Sequence, residues 1–380
     1  MKFGMRFFIY ILTLMIILNC SVYGKFEPAS VPRSYYLMDW DTGTVMAEYK
    51  ADEPYPIASV TKVMSMIIYM EAIQSGKITF DDVVTASEYA CSMGGSQIYL
   101  EPGEQMKVSD LLKSVAVSSA NDACVALAEY IMGSADAFVE VMNQKAKDLG
   151  MANTHFVNCN GLDEDNHYST ARDVAIMSRE LLKYNDILPY LSIWMDSVRD
   201  GAFGLSNTNK LIRYYDGAIG VKTGSTSNAK YCLSAAAARD GLTLIAVVLG
   251  AETTSDRFET AKELLNYGFA NYKIEKIVNK NENIGTINIK KGVSEKANII
   301  AESDFKKLKD KQNGSKIETK TVVDANVYAP VTKGQKVGKI EILENGKNIG
   351  EVNLVSADDV DRISLTEVFL LLMKQWALKR

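Results

Sequence analysis

Histidine is nearly absent: the 380-residue chain has two, His155 and His167. A metal centre built on several imidazoles is therefore excluded. Five cysteines are far too few for a disulfide-built scaffold. Prolines number seven, so the helical patterns between residues 25 and 272 run with few interruptions. The formal charge is only −5, which argues against a chain held on nucleic acid by phosphate contacts. A Gly-x-Ser-x-Gly elbow and a Walker loop are both missing, and there is no internal repeat or low-complexity tract. What is present is ordinary globular composition, 47% hydrophobic and 23% charged, which excludes wholesale disorder. The length predicts two or three domains.

The charge is unevenly placed. Residues 25–272 carry −12, residues 273–355 carry +5, and the first 24 carry Lys2 and Arg6 with no acid. Residues 1–24 read as a secretory signal: a basic start, then Phe7 to Leu18, apolar except for Thr13 and too short to favour a spanning helix. Export leaves Cys91, Cys124, Cys159 and Cys232, widely spaced and without a Cys-x-x-Cys pair, which read as free buried thiols. At the other end, residues 356–380, Leu365, Phe369, Leu372 and Trp376 share one helical face followed by Lys374, Lys379 and Arg380. This segment reads as an interfacial helix on a membrane surface or as a helix docked on the protein itself.

Between the ends, Thr61–Ile73, Ser109–Met132 and Ala171–Lys183 predict helices. Tyr231–Ala238 and Thr243–Gly250, joined across Arg239-Asp240-Gly241, predict a β-hairpin, and Asp256–Phe269 a further helix. From Ile274 the pattern becomes short alternating runs separated by turns such as Asn345-Gly346, a small all-β module. The predicted organisation is residues 1–24 signal, 25–272 a mixed α/β domain with a sheet and many helices, 273–355 β-rich, and 356–380 an amphipathic helix.

Three Ser-x-x-Lys strings occur, starting at Ser59, Ser227 and Ser303. Ser59-Val60-Thr61-Lys62 opens the apolar helix, and an i, i+3 pair shares a face, so Lys62 can reach Ser59. The Ser also sits where a helix N-terminus favours negative charge. Ser303 lies among Lys306, Lys307, Lys309 and Lys311, a solvated run. Ser119-Ala120-Asn121 is a polar trio in an apolar surround, and Lys222-Thr223-Gly224 follows Gly217–Val221 on or entering a strand. His155 and Cys159 stand four apart without further ligand partners, a structural pair. The three strings in this order, on helix, loop and strand, are far more specific than any one alone.

Together they resemble the serine-type D-alanyl-D-alanine carboxypeptidases, the low-molecular-mass penicillin-binding proteins of peptidase family S11. Ala58–Lys62 matches the family's nucleophile motif, Ser118–Ala123 its second motif with Ala120 where Gly is frequent, and Asp216–Gly224 its third. His155–Asn158, Gly161-Leu162 and His167–Asp173 match a further stretch, and the β-module and tail fit the family's layout. The resemblance implies an α/β (α+β) penicillin-binding, β-lactamase-like fold, an antiparallel sheet flanked by helices, plus the small β domain. It implies acyl transfer on peptidoglycan stem peptides ending in D-Ala-D-Ala, with β-lactams as covalent inhibitors, no cofactor, and a place at the outer face of the cytoplasmic membrane.

Under that resemblance Ser59 is the nucleophile and Lys62 its base, which requires a lowered lysine pKa through burial and a second cation, Lys222. Ser119 relays a proton to the leaving amine. Asn121, Lys222, Thr223, Gly224, Ser225 and Arg257 bind substrate, Lys222 and Thr223 at the terminal carboxylate. The backbone N–H groups of Ser59 and Ser225 form the oxyanion hole. Arg257 reads either as carboxylate support or as one half of a surface salt bridge. Three alternatives stand beside this reading: a D,D-endopeptidase or transpeptidase of the same superfamily, a class A-like β-lactamase, and a catalytically dead wall-binding protein. The β-lactamase needs a Glu-x-x-x-Asn pattern, and here Glu164 is followed by Tyr168.

Overall fold

The computed structural model describes residues 26–312 and 314–378. The segment read as an export signal lies outside the described residues. The chain divides into two compact units, Met1–Gly268 and Phe269–Arg380.

The first unit is built on a five-stranded sheet of β1 (Ser34–Asp39), β2 (Val45–Tyr49), β3 (Ala218–Thr226), β4 (Lys230–Arg239) and β5 (Leu242–Ala251), in the order β2-β1-β5-β4-β3. Every neighbouring pair is antiparallel. The hairpin turn between β4 and β5 has Asp240 and Gly241 at φ +50° and +78°, the primed geometry that matches strand twist. Strand β5 is buried along nearly its whole length, which is why it reads as a solid apolar run. Strand β3 lies at the sheet edge.

A 3-10 turn, Ala58–Thr61, leads into α1 (Lys62–Gln74). Helix α1 is apolar on every side because it is enclosed on every side: residues 62–70 and Ala72 are all buried. The segment 109–132, expected as one helix, is two. Helix α2 (Val108–Val117) stops and α3 (Asn121–Met132) begins after Ser119, whose φ of +67° cannot continue a right-handed helix. Then come α4 (Ala135–Asp148), α5 (Ala171–Leu181) and α6 (Thr254–Asn271). Helix α5 starts where the Thr170 hydroxyl caps the Asp173 N–H at 3.1 Å, and it packs on β5 and β1.

In the second unit β6 (Tyr272–Val278) pairs with β9 (Phe305–Asp310). A six-stranded sheet runs β10-β12-β13-β8-β7-β11, from β7 (Asn283–Lys290), β8 (Lys296–Ala301), β10 (Ile317–Val323), β11 (Val327–Tyr328), β12 (Lys336–Glu344) and β13 (Lys347–Ser356). Only the β7–β11 pair is parallel. Ile287, Ile299, Val337, Ile342 and Leu354 form its core. Helix α7 (Leu365–Leu378) closes the described chain, with Leu365, Phe369, Leu372 and Trp376 all exposed.

Candidate active site

The first turn of α1 puts Lys62 directly beneath Ser59. The Lys62 ammonium is fully buried and donates to three acceptors: Ser59 Oγ at 3.0 Å, Asn121 Oδ1 at 2.5 Å and the Asn160 carbonyl at 2.6 Å. Burial pushes its pKa from the ordinary lysine value down to about 8, against the opposing pull of Cys124, Cys159 and Asp122. Asn121, at the first position of α3, uses its amide NH2 to bond the Gly94 carbonyl at 2.7 Å, which fixes its oxygen toward Lys62.

Ser119 occupies the break between α2 and α3, 4% exposed, and its buried hydroxyl has no hydrogen-bond partner among the described residues. The left-handed conformation falls on Ser119, whereas Ala120 has φ −57°, so alanine fits where glycine is frequent in the family. An orphaned buried hydroxyl costs about 1–3 kcal/mol, which a ligand at this position recovers.

Edge strand β3 brings in the third string. Gly224 lies against the nucleophile's turn: a Cβ there would stand 2.6 Å from the Ile57 carbonyl and 3.0 Å from the Ser59 nitrogen. Lys222 is 1% exposed, and its ammonium bonds the Thr223 carbonyl at 3.0 Å. Its pKa is lowered well below the ordinary value by burial, then by repulsion from Lys62 and Arg257. The repulsion between the two buried lysines is reciprocal, so it opposes charge on both Lys62 and Lys222. The Thr223 hydroxyl donates to Thr208 Oγ1 at 2.6 Å, and Ser225 is exposed.

Arg257, on α6, is 6% exposed and is no surface salt bridge. Its guanidinium donates to the Gly224 and Cys232 carbonyls at 3.2 and 3.3 Å and lies over the Tyr231 and Phe258 rings. Burial lowers it to about 10. Three basic groups, Lys62, Lys222 and Arg257, are thus buried together.

Other expected residues lie elsewhere. Ser227 and Ser303 are exposed, as is Glu164. His167 is buried and neutral, its pKa pushed down to about 4 by burial; its Nδ1 accepts the Val157 N–H, so Nε2 donates to Thr61 Oγ1. It braces the nucleophile's turn. Cys124, Cys159 and Cys232 are buried free thiols, and Cys91 is half-buried. Among the described residues no group of His, Cys, Asp and Glu could hold a metal ion, and no helix is long and apolar enough to cross a membrane.

Two contributors escaped side-chain pattern reading. The Asn160 carbonyl, a backbone group, is the third Lys62 partner. Gly161, at φ +85°, passes so close beneath the nucleophile that a Cβ would stand 1.9 Å from the Ala58 carbonyl. The Asn-Gly pair at 160–161 is the signal that points to this turn.

This antiparallel sheet with buried helices, followed by a separate β domain, is the architecture of the penicillin-binding proteins. Residues 25–253 match the D-alanyl-D-alanine carboxypeptidase family, and residues 272–362 match the penicillin-binding protein 5 C-terminal domain. The chain is 39% identical to D-alanyl-D-alanine carboxypeptidase DacF of Bacillus subtilis, covering 92% of this chain and 91% of that protein. It is 34% identical to DacC of Escherichia coli, over 88% and 85%. Its fold is similar to the crystal structure of penicillin binding protein 5 from Haemophilus influenzae, with a TM-score of 0.75 and 33% identity over 89% of this chain and 100% of that one. The chain belongs to the D-alanyl-D-alanine carboxypeptidase family and is a serine-type peptidase of the hydrolase class.

Proposed function

We propose that Ser59 attacks the penultimate carbonyl of a peptidoglycan stem peptide ending in D-Ala-D-Ala. The terminal D-Ala leaves, and water hydrolyses the resulting acyl-enzyme. One observation carries the assignment of base and nucleophile. A neutral Lys62 amine keeps two N–H donors and gains one lone pair. Asn121 Oδ1 and the Asn160 carbonyl are acceptors only, so they retain the two donors. The lone pair is left for the one partner able to donate, the Ser59 hydroxyl.

The other roles follow from placement. Lys222 and Arg257 draw the substrate's terminal carboxylate, whose negative charge offsets the burial and repulsion that lower the Lys222 pKa. Thr223 adds a hydroxyl, and Arg257 acts through the Gly224 carbonyl and the strand it supports. The unpartnered Ser119 hydroxyl is available to pass a proton to the leaving amine. Asn121 holds both Lys62 and the substrate backbone. The N–H groups of Ser59 and Ser225 bind the oxyanion, the first being among the unpaired donors that open a helix. A β-lactam presents the same reactive amide and acylates Ser59.

Export by residues 1–24, a wall-facing position, the division at 272 and 355, and docking of α7 on a membrane surface belong to the same reading. The exposed apolar side chains of α7 support the last of these. The test is release of free D-Ala from a D-Ala-D-Ala pentapeptide. The full chain releases it and Ser59→Ala does not; a Ser59→Ala variant with full activity refutes the nucleophile.

A further inference from the structure

Edge strand β3 continues past the reacting centre to Thr226. A substrate whose carboxylate lies at Lys222 and Thr223, with its scissile bond beside Gly224 and Ser59, runs antiparallel to that edge toward Thr226. At about 3.4 Å per residue, its third residue from the C-terminus falls beside Thr226 and Ser227. A cavity of about 420 Å³ opens there, lined by Ser225, Thr226, Ser227, Lys230, Tyr231 and Glu252.

Its wall carries one charge of each sign. Lys230 Nζ and a Glu252 carboxylate oxygen are 3.6 Å apart, with side chains 49% and 77% exposed. Such an exposed pair contributes little, so a ligand separates it at little cost. Lys230 also holds φ +54° at the end of the hairpin loop, a conformation that glycine adopts more readily. Tyr231 supplies an aromatic wall for the methylene stem of a long side chain.

We infer that this cavity reads the side chain of the third stem residue and selects one ending in both an ammonium and a carboxylate. Lys230 takes the carboxylate and Glu252 the ammonium. A side chain ending in an ammonium alone satisfies Glu252 and leaves Lys230 facing a like charge. The inference rests on the carboxypeptidase reading above and extends it to the class of stem peptide.

The test compares two acylated pentapeptides identical except at the third residue, meso-diaminopimelate in one and L-lysine in the other. Free D-Ala is followed with the full chain. The diaminopimelate peptide is expected to have the higher kcat/KM by about threefold or more, the size of one exposed ion pair gained in place of a like-charge contact. That ratio falls toward one in Lys230→Met, whereas Glu252→Gln lowers kcat/KM for both peptides and leaves the ratio standing, and the ratio shrinks as salt rises. Acylation of Ser59 by benzylpenicillin reports that each variant is folded, and Lys230→Gln replaces Lys230→Met if that variant is not acylated. Equal kcat/KM for the two peptides, or a preference that survives Lys230→Met, overturns the inference while D-Ala release upholds the carboxypeptidase reading. Release from neither peptide refutes that reading and the inference with it.

Discussion

An ammonium without water around it is costly, and Lys62 is such a group: 0% exposed, held by three oxygens, none of them ionised. The cost appears as a pKa of about 8. Because the neutral form is the base, acylation is predicted to speed up as pH rises through about 8. The pH profile of kcat/KM checks this: a rising limb near 8 agrees, and a flat profile from pH 7 to 9 does not. The same shift acts on stability. Between about pH 8 and the ordinary lysine value, the unfolded chain holds a proton that the folded chain has shed, so stability rises with pH in that window. Lys62→Arg, which cannot deprotonate, is expected to slow acylation about 100-fold or more, measured as the rate of penicillin adduct formation.

At the scale of elements, the site is the place where a helix start, a helix break and a sheet edge meet. The helix start and the edge strand were legible because their side chains are spaced in the sequence as they are in space. Ser59 and Lys62 are three apart across the 3-10 turn that runs into α1, and the Asp240-Gly241 turn announces the hairpin beside β3. The break at Ser118–Ala120 was legible only as a polar trio taken for a loop, which the single helix expected over 109–132 contradicted. Residues 109–132 keep a helical apolar pattern throughout, and only the left-handed φ of Ser119, set by tertiary packing, divides them. The buried placement of Arg257 was equally hidden, since its partners are the carbonyls of Gly224 and Cys232 on two strands. The loop at 160–161 belongs with these, because its contribution is a carbonyl and a missing Cβ. Gly161→Ala is predicted to cost about 2 kcal/mol or more: the added methyl meets the Ala58 carbonyl, and φ +85° disfavours alanine. Denaturant unfolding measures the loss, and a variant as stable as the parent contradicts the close approach.

At the scale of the whole molecule, the total charge of −5 conceals an acidic first part and a β-rich part carrying +5. The catalytic cations lie inside the acidic part, so net charge says nothing of the site's own sign. Helix α7 exposes Leu365, Phe369, Leu370, Leu372 and Trp376, and each large apolar side chain gains about 1.5–3 kcal/mol on full burial. Val360 and Arg362 still bridge to the β-module, so a truncation belongs after Ser364. A chain lacking residues 365–380 is predicted to lose binding to anionic vesicles at least tenfold in co-sedimentation, while its release of D-Ala from a soluble pentapeptide stays within twofold. Undiminished vesicle binding contradicts the role given to α7. The central claim, one serine acylated with one lysine as its base, is tested most directly by mass spectrometry of the full chain after incubation with benzylpenicillin. The account predicts a single adduct per chain, located on Ser59 and absent from Ser59→Ala. No adduct, or one on any other residue, contradicts it.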